Sequence, residues 1–211
     1  MSYSIFICGV GGQGLVLLTS VIGRACARSN KRAITGEMYG LSQRSGTVSV
    51  HLRIGDDAHS PLIPYGSADA LVALEATEAL RYIEYLRKGG LALVNGRIMH
   101  PPIETSRLLA DRSASYFSLE EILKRLRSWT DKVVVVDALR IARESGNPIA
   151  ENTVFLGCLS ALRDLPVDEK SLRESLAETV PKGTVEQNLK AFDAGKKTAI
   201  EALCSFGVCR S

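Results

Sequence analysis

The first forty residues alternate between short apolar runs and an amphipathic stretch, a pattern typical of α/β proteins. The apolar run at residues 5–8 predicts a buried strand, which leads directly into a glycine-rich turn at residues 9–14. Apolar side chains then recur with helical spacing at positions 15, 18, 22, 25 and 26. A short second strand is predicted at residues 32–35. The chain therefore begins as strand, tight turn, helix and strand.

Residues 47–54 alternate strictly between polar and apolar side chains, which predicts a strand with one polar face. The polar side chains are Thr47, Ser49, His51 and Arg53. Because helices usually cover both faces of a parallel sheet, a polar face indicates a strand that is antiparallel, at an edge or covered by a partner. We expect this face to be buried against another polypeptide.

The remaining pattern alternates strand and helix up to about residue 138 and is helical beyond it. Strands are predicted at 70–74, 91–95 and centrally at 132–136, with a helix that Gly89-Gly90 ends and another that starts at a capping box, Ser118–Glu121. The expected fold is α/β, a three-layer Rossmann-like sheet with helices on both faces and a helical C-terminal third. We expect one domain, 1–211, with a sheet core at 1–138 and a helical layer at 139–211.

Composition removes several classes of function. The 211 residues carry 26 basic and 23 acidic side chains, a net charge of +3, and no basic run that would follow a nucleic acid or an anionic membrane. No apolar stretch reaches the roughly 20 residues that span a bilayer. Met1 leads almost directly into a strand, which leaves no room for a signal peptide. We therefore expect a cytoplasmic protein without nucleic acid or membrane partners.

The cysteines and histidines do not predict a metal or catalytic site. Cys8, Cys26 and Cys158 fall at apolar positions of predicted elements, and only Cys204 and Cys209 are placed to pair or react. No spacing matches a zinc site, and an iron–sulfur cluster would need about four suitably placed thiolates. The sequence also lacks a GxSxG nucleophile elbow and a GxxxxGK[ST] phosphate loop. From these residues alone, we predict a ligand-binding or interaction domain.

The glycine turn is the first candidate binding feature. Gly9, Gly11 and Gly14 have the spacing of the dinucleotide fingerprint, and the next helix would direct its free N–H groups at a ligand above the turn. Glu37 lies near the position of the carboxylate that binds a ribose, about 20 residues past the glycines. Two alternatives remain open: a nucleotide or phosphate site, and a closely packed turn that binds nothing.

A second candidate follows at residues 38–46, a stretch rich in glycine, hydroxyl and amide side chains that predicts a contact loop. The glycine turn, Gly9-Val10-Gly11-Gly12-Gln13-Gly14, and this stretch, Glu37-Met38-Tyr39-Gly40-Leu41-Ser42-Gln43-Arg44-Ser45-Gly46, together resemble the paired signatures of the gamma-type domain of 2-oxoacid:ferredoxin oxidoreductases. Its Ser-Gln-Arg form most resembles the beta subunit of the indolepyruvate branch. Ser45 is a departure, because the family commonly has glycine there.

The resemblance implies a subunit of a heteromeric enzyme that is inactive alone. That enzyme oxidatively decarboxylates an aryl 2-oxoacid, chiefly indolepyruvate, to the acyl-coenzyme A and reduces ferredoxin. Thiamine diphosphate, Mg²⁺ and [4Fe–4S] clusters would belong to a large alpha subunit, with no cofactor bound by this chain alone and coenzyme A as cosubstrate. Ferredoxin would be a partner of this chain only through the assembled complex.

The resemblance and the turn together give a set of ligand- or interface-binding candidates and no catalytic or metal-binding ones. Arg44 is the candidate for holding a carboxylate or phosphate of substrate or coenzyme A. For the chain as a whole, two functions are alternatives to the indolepyruvate enzyme subunit. One is a gamma subunit of a pyruvate, 2-oxoglutarate or 2-oxoisovalerate enzyme, and the other is a stand-alone Rossmann-type NAD(P)- or flavin-binding protein. The candidates are Gly9, Gly11, Gly12, Gln13, Gly14, Glu37, Ser42, Gln43, Arg44, Ser45 and Gly46.

Overall fold

A computed structural model describes residues 2–40, 46–99 and 116–210. Within these ranges, six strands form one mixed sheet in the order β2-β3-β1-β4-β5-β6. Strands β1, β4, β5 and β6 are parallel, whereas β3 is antiparallel to its neighbours β1 and β2. The strands are β1 Tyr3–Val10, β2 Ala33–Tyr39, β3 Thr47–Ile54, β4 Ala68–Ala73, β5 Leu86–Asn95 and β6 Val133–Val136.

Helices cover both faces of the sheet. The α-helices in the described ranges are α1 Leu15–Arg28, α2 Ala76–Tyr82, α3 Leu119–Arg127, α4 Ala138–Glu144, α5 Glu151–Ser160, α6 Glu169–Thr179 and α7 Val185–Ser205. One apolar core joins the sheet to α1 and α4–α7, and a separate core on the opposite face joins it to α2 and α3. None of the described helices is long and apolar enough to cross a membrane. The predicted three-layer α/β fold with a helical C-terminal third is confirmed.

Two local predictions are also confirmed. Ser118 caps α3, with its side chain bonded to the Glu121 N–H and the Glu121 carboxylate bonded back to the Ser118 N–H. Cys8, Cys26 and Cys158 are free and buried in the core. Cys204 and Cys209, the two that the sequence left able to pair, form a disulfide between α7 and the segment after it.

Three predicted elements differ from the structure. Strand β2 continues to Tyr39, so Glu37 lies within the strand instead of in a loop after it. Gly89 and Gly90 lie inside β5, because α2 already ends at Tyr82 and a 3₁₀ turn follows it. Gly89 has a φ of +68°, which accompanies a shift of register between β4 and β5. Strand β6, predicted to be central, is an edge strand, since only β5 pairs with it among the described strands.

The polar face of β3 is buried inside this chain, so the expected cover by another polypeptide is wrong for the centre of the strand. Ser49 and His51 are each 1% exposed. The His51 ring contacts the rings of Phe6 and Tyr85 at centroid distances of 4.8 and 5.3 Å. Its Nδ1 accepts the N–H of Ile63 at 3.0 Å. The segment that follows β3 therefore folds back over this face.

The burial of His51 predicts a loss of stability in mild acid. Burial lowers the pKa of His51 below its ordinary value, and its Nε2 has no hydrogen-bond partner among the described residues. As the pH falls, the unfolded chain therefore takes up this proton before the folded chain does. The contribution of neutral His51 to the free energy of unfolding should be fully present above about pH 6.5. Below that pH, the free energy of unfolding should fall by up to about 1.4 kcal/mol per pH unit.

Urea unfolding at about pH 7.5 and about pH 5.5 measures this difference in stability. His51→Gln should reduce the difference between the two conditions, whatever its effect on absolute stability. His59, which is exposed, supplies the matched control, and His59→Gln should leave the difference unchanged. Equal pH dependence of the two variants would contradict the assignment to His51.

Candidate functional site

The candidate site lies at the carboxyl ends of the parallel strands β1, β4 and β5. The glycine turn joins β1 to α1 on one face of the sheet, whereas the neighbouring strand β4 leads into α2 on the other face. In open α/β sheets, ligands bind in the crevice where adjacent strands connect in opposite directions. The structure brings six of the predicted residues to this point: Gly9, Gly11, Gly12, Gln13, Gly14 and, through its bond to Gly11, Gly46.

The side chain of Gln13 turns inward and fastens β1 to β4. Its Oε1 accepts the N–H of Val10 at 2.9 Å, and its Nε2 donates to the carbonyl of Leu74 at 2.7 Å. Gly9 leaves room for this arrangement, because a Cβ there would lie 2.6 Å from Gln13 Oε1. Gln13 therefore stabilises the turn from inside the protein, and both polar atoms of its amide are hydrogen-bonded within the chain.

The other glycines of the turn have two different roles. Gly14 begins α1 with a φ of +76°, and Asn152 Nδ2 donates to its carbonyl at 3.1 Å. A Cβ on Gly14 would overlap with the Asn152 side-chain amide. Gly11 and Gly12 are exposed, and a Cβ on Gly12 would meet nothing within 4 Å. Gly14 thus serves close packing, whereas Gly11 and Gly12 present bare backbone at the surface.

Most backbone donors of the turn are engaged by the chain itself. Besides the Val10 N–H, the Gly11 N–H donates to the Gly46 carbonyl at 2.9 Å, and the Gln13 N–H donates to the Val10 carbonyl at 3.2 Å. A dinucleotide-binding turn offers such groups to a diphosphate. These bonds favour the closely packed turn, and the N–H groups at the start of α1, which has no side-chain cap, are the donors left for a ligand.

Glu37 lies away from the glycine turn. Strand β3 separates its strand from β1, since Glu37 pairs with Val50 and Val50 pairs with Ile7. The Glu37 carboxylate accepts a hydrogen bond from the Tyr39 hydroxyl, which raises the pKa of Tyr39. The structure does not bring Glu37 together with the glycines, as a ribose-binding carboxylate would require.

A buried carboxylate that sequence reasoning did not select, Glu78, ties the start of β3 to α2. Its Oε2 accepts the hydroxyl of Thr47, and its Oε1 accepts the Arg81 Nε–H at 3.0 Å. The Tyr82 hydroxyl lies 3.1 Å from Thr47 Oγ1. Glu78 is only 5% exposed, whereas the Arg81 side chain is 57% exposed, so the network runs from a buried carboxylate to the surface.

The carboxyl end of the second motif, the stretch at residues 37–46, is bonded to the glycine turn. Gly46 accepts the Gly11 N–H, and the next residue, Thr47, is held by Glu78. The chain therefore returns from the second motif directly beside the turn. The other four predicted residues of this motif lie outside the described residues, and their roles stay predictions: Ser42, Gln43, Arg44 and Ser45.

Two further acidic side chains at this end of the sheet accept hydrogen bonds that hold neighbouring segments of the chain together. Glu75 caps α2 by accepting the Glu78 N–H at 2.9 Å and also accepts the Met99 N–H at 3.0 Å. Glu151 accepts from Asn95 Nδ2 at 2.9 Å and from Arg97 Nη1 at 2.5 Å. The strand-end positions of Glu75 and Asn95 were visible in the sequence. Glu151 had no signal, because α5 brings it to the site from the helical layer.

The described residues offer little chemistry of their own. They contain no group of three or more His, Cys, Asp or Glu side chains that could hold a metal ion. Cys8 lies below the site, and burial, with the nearby charges of Glu78 and Glu75, raises the pKa of its thiol well above the ordinary value. The thiol is therefore protonated at neutral pH and is a poor nucleophile. The arrangement is suited to presenting a shaped surface.

Comparison with known proteins gives a family and relatives that match nearly the whole chain. The family model described as pyruvate ferredoxin/flavodoxin oxidoreductase matches residues 4–198. Indolepyruvate oxidoreductase subunit IorB of Pyrococcus horikoshii is 40% identical over 203 residues, which cover 95% of this chain and 98% of that protein. The subunit of the same name from Archaeoglobus fulgidus is 40% identical over 200 residues, with 95% and 96% covered.

A solved structure shares the whole fold. It is the gamma subunit of a keto/oxoacid ferredoxin oxidoreductase from Geobacter sulfurreducens, which is 25% identical, with a TM-score of 0.70. The likeness covers 96% of this chain and 98% of that one. A match over nearly the full length of each chain means that the family relationship does not depend on the glycine turn alone. The chain belongs to the pyruvate ferredoxin/flavodoxin oxidoreductase family.

Proposed function

We propose that this chain is the small subunit of an indolepyruvate ferredoxin oxidoreductase. The observation that carries the proposal is the 40% identity to an indolepyruvate oxidoreductase subunit over 98% of that subunit's length. The Ser42-Gln43-Arg44 form of the second motif supports the same branch of the family. The reaction would be the oxidative decarboxylation of an aryl 2-oxoacid to its acyl-coenzyme A, with electrons passed to ferredoxin.

The proposal assigns the redox chemistry to a large partner subunit. Thiamine diphosphate, Mg²⁺ and iron–sulfur clusters are expected there, with coenzyme A as cosubstrate and ferredoxin met through the complex. The residues described for this chain do not fit such groups. They contain no group of three or more His, Cys, Asp or Glu side chains that could ligate a metal ion, and Glu75 and Asp137 at the strand ends cap helices. This chain would complete the active site by shape and contact.

Exposed apolar side chains at the same end of the sheet as the glycine turn support a partner there. Val16, in the first turn of α1, is 43% exposed, and Tyr39, at the end of β2, is 61% exposed. Ile149 is 84% exposed and lies just before α5, whose Asn152 contacts the turn. Large exposed apolar side chains are enriched where another protein covers the surface, and these three support the proposal in that sense.

A stand-alone NAD(P)- or flavin-binding protein is the weaker alternative. The turn has already used the Val10, Gly11 and Gln13 N–H groups within the chain. Glu37, the candidate ribose ligand, lies across β3 from the turn. Titration of the isolated chain with NADH or a flavin should therefore show no saturable binding.

Reconstitution tests the proposed function. The chain is purified alone and together with a candidate large subunit that carries a thiamine site and cluster cysteines. Indolepyruvate-dependent, coenzyme A-dependent reduction of ferredoxin is expected only from the combination, because thiamine supplies the carbanion stabilisation that this chain lacks. Pyruvate, 2-oxoglutarate and 2-oxoisovalerate are the comparison substrates. Activity from the isolated chain, or a preference for one of those three 2-oxoacids, would contradict the proposal.

A further inference from the structure

One row of backbone groups on strand β2 has no partner strand among the described residues. The Gly55 N–H donates to the Arg32 carbonyl at 2.9 Å, and the Gly40 N–H donates to the Thr47 carbonyl at 2.8 Å. Because an antiparallel ladder alternates between bonded and non-bonded pairs, these contacts show that even-numbered residues direct their backbone groups to β3. The backbone groups of residues 33, 35, 37 and 39 therefore point outward. No described strand pairs with this edge.

A groove of about 540 Å³ runs along this edge between β2 and α1. Thr35 and Glu37 of β2 form one wall, and Ser20 and Arg24 of α1 form the other. Three of the four residues with outward backbone groups, Ala33, Thr35 and Glu37, thus also line the groove. A strand added to β2 would place every second side chain beside this groove.

The groove is basic. Arg24, Lys31 and Arg32 line it, against a single acidic side chain, Glu37. None of the three cations forms an ion pair with another described residue, whereas Glu37 is bonded to Tyr39. Two copies of this chain pairing edge to edge would bring the same excess of positive charge together, which is unfavourable. The charges favour an acidic occupant over a second copy.

Two apolar side chains are exposed on the other face of this edge, away from the groove. Met38 is 43% exposed on the face of β2 opposite the groove, and Leu62 is 58% exposed. Leu62 follows Pro61, which packs so close to Gly36 that an added Cβ would lie 3.0 Å from the proline ring. An occupant of the edge would therefore contact apolar side chains as well as backbone and cations.

We propose that the open edge of β2 and its basic groove bind an extended acidic segment of the large partner subunit, which adds to the sheet as a further strand. Main-chain hydrogen bonds from residues 33, 35, 37 and 39 would supply affinity. Acidic side chains at alternate positions of the segment would meet Arg24, Lys31 and Arg32. The inference rests on the proposed function for the existence of that subunit.

Thr35→Pro tests the main-chain contribution in the complex with the large subunit. Proline removes one outward N–H and leaves the ladder to β3 intact, a position that edge strands tolerate. Thr35→Val keeps the N–H and changes only the side chain, so it measures the side-chain contribution at the same position. We expect the dissociation constant of Thr35→Pro to exceed that of Thr35→Val about tenfold or more, and this difference isolates the main-chain hydrogen bond. Thermal unfolding of each isolated variant confirms that it is folded.

Charge reversal tests the groove independently of the backbone. Arg24→Glu combined with Arg32→Glu should weaken the complex about tenfold or more and reduce its dependence on salt. Lys170→Glu combined with Lys197→Glu makes the same change of net charge at exposed positions on α6 and α7, and should have little effect. Residue-resolved hydrogen exchange in the complex should show new protection at the amides of Thr35, Glu37 and Tyr39.

Each outcome has a distinct meaning. If the wild-type complex forms, but the Thr35→Pro and charge-reversed chains bind normally and the outward amides stay unprotected, the docking inference is overturned and the proposed function stands. Self-association of the chain with protection of the same amides would assign the edge to a second copy and would also overturn it. A wild-type chain that binds no large subunit would overturn the proposed function itself.

Discussion

Gly157→Ala is expected to destabilise the folded chain by about 3 kcal/mol, the upper end of the usual cost of overpacking a core. Gly157 lies where α5 crosses α7, and an added Cβ would overlap with the carbonyl oxygen of Phe192 and lie 2.9 Å from the Lys196 nitrogen. Gly195 makes the reciprocal contact, because its added Cβ would overlap with the carbonyl oxygen of Val154. These are backbone atoms, so no side-chain rotation relieves the overlap. The two helices would have to separate.

Denaturant unfolding of the isolated chain measures this effect, and Gly195→Ala should behave in the same way. Gly23→Ala is the matched control, because Gly23 lies within α1 and an added Cβ there would meet nothing within 4 Å. Alanine has the higher helix propensity, so the control should gain up to about 1 kcal/mol. A Gly157→Ala chain with the unfolding midpoint of the wild type would show that the two helices do not need this close approach.

The sequence predicted this fold best where the signal was local. The apolar runs and the capping box at Ser118 located most strands and the start of α3, because they depend on neighbouring residues alone. The order of the strands depends on pairing over long separations, and β3 inserts between β1 and β2. That insertion moved Glu37 away from the glycines, which a reading based on the spacing of a nucleotide-binding unit did not anticipate.

The candidate site shows the same limit. The glycine turn was predicted from spacing, but its internal partners come from distant parts of the chain. Leu74 is 61 positions from Gln13 in the sequence, and the contact from Asn152 to Gly14 spans 138 positions. Glu78 was not selected from the sequence, and only the fold shows that it holds Thr47 beside the turn. Gly157 and Gly195 carried no signal, because a glycine within an apolar helix does not reveal which backbone it faces.

Gly14→Ala is expected to lower stability by about 2–3 kcal/mol, the second large effect. A left-handed backbone costs alanine about 1 kcal/mol. The new methyl group would also displace the Asn152 side chain, which is 5% exposed and donates to the Gly14 carbonyl. Losing a buried hydrogen bond adds roughly 1–2 kcal/mol. Denaturant unfolding of the isolated chain again gives the free energy of unfolding.

Gly12→Ala separates the turn's packing role from its surface role. Gly12 has a φ of +93° but open space around it, so alanine should cost only about 1 kcal/mol of stability. Its methyl group would project from the surface proposed to meet the large subunit, so Gly12→Ala should weaken that complex more than it weakens the fold.

Combining Gly14→Ala with Asn152→Ala should lower the free energy of unfolding by less than the sum of the two single changes, because Asn152→Ala removes the overlap that Gly14→Ala creates. Strict additivity of the pair would show that backbone strain at Gly14 accounts for the whole loss.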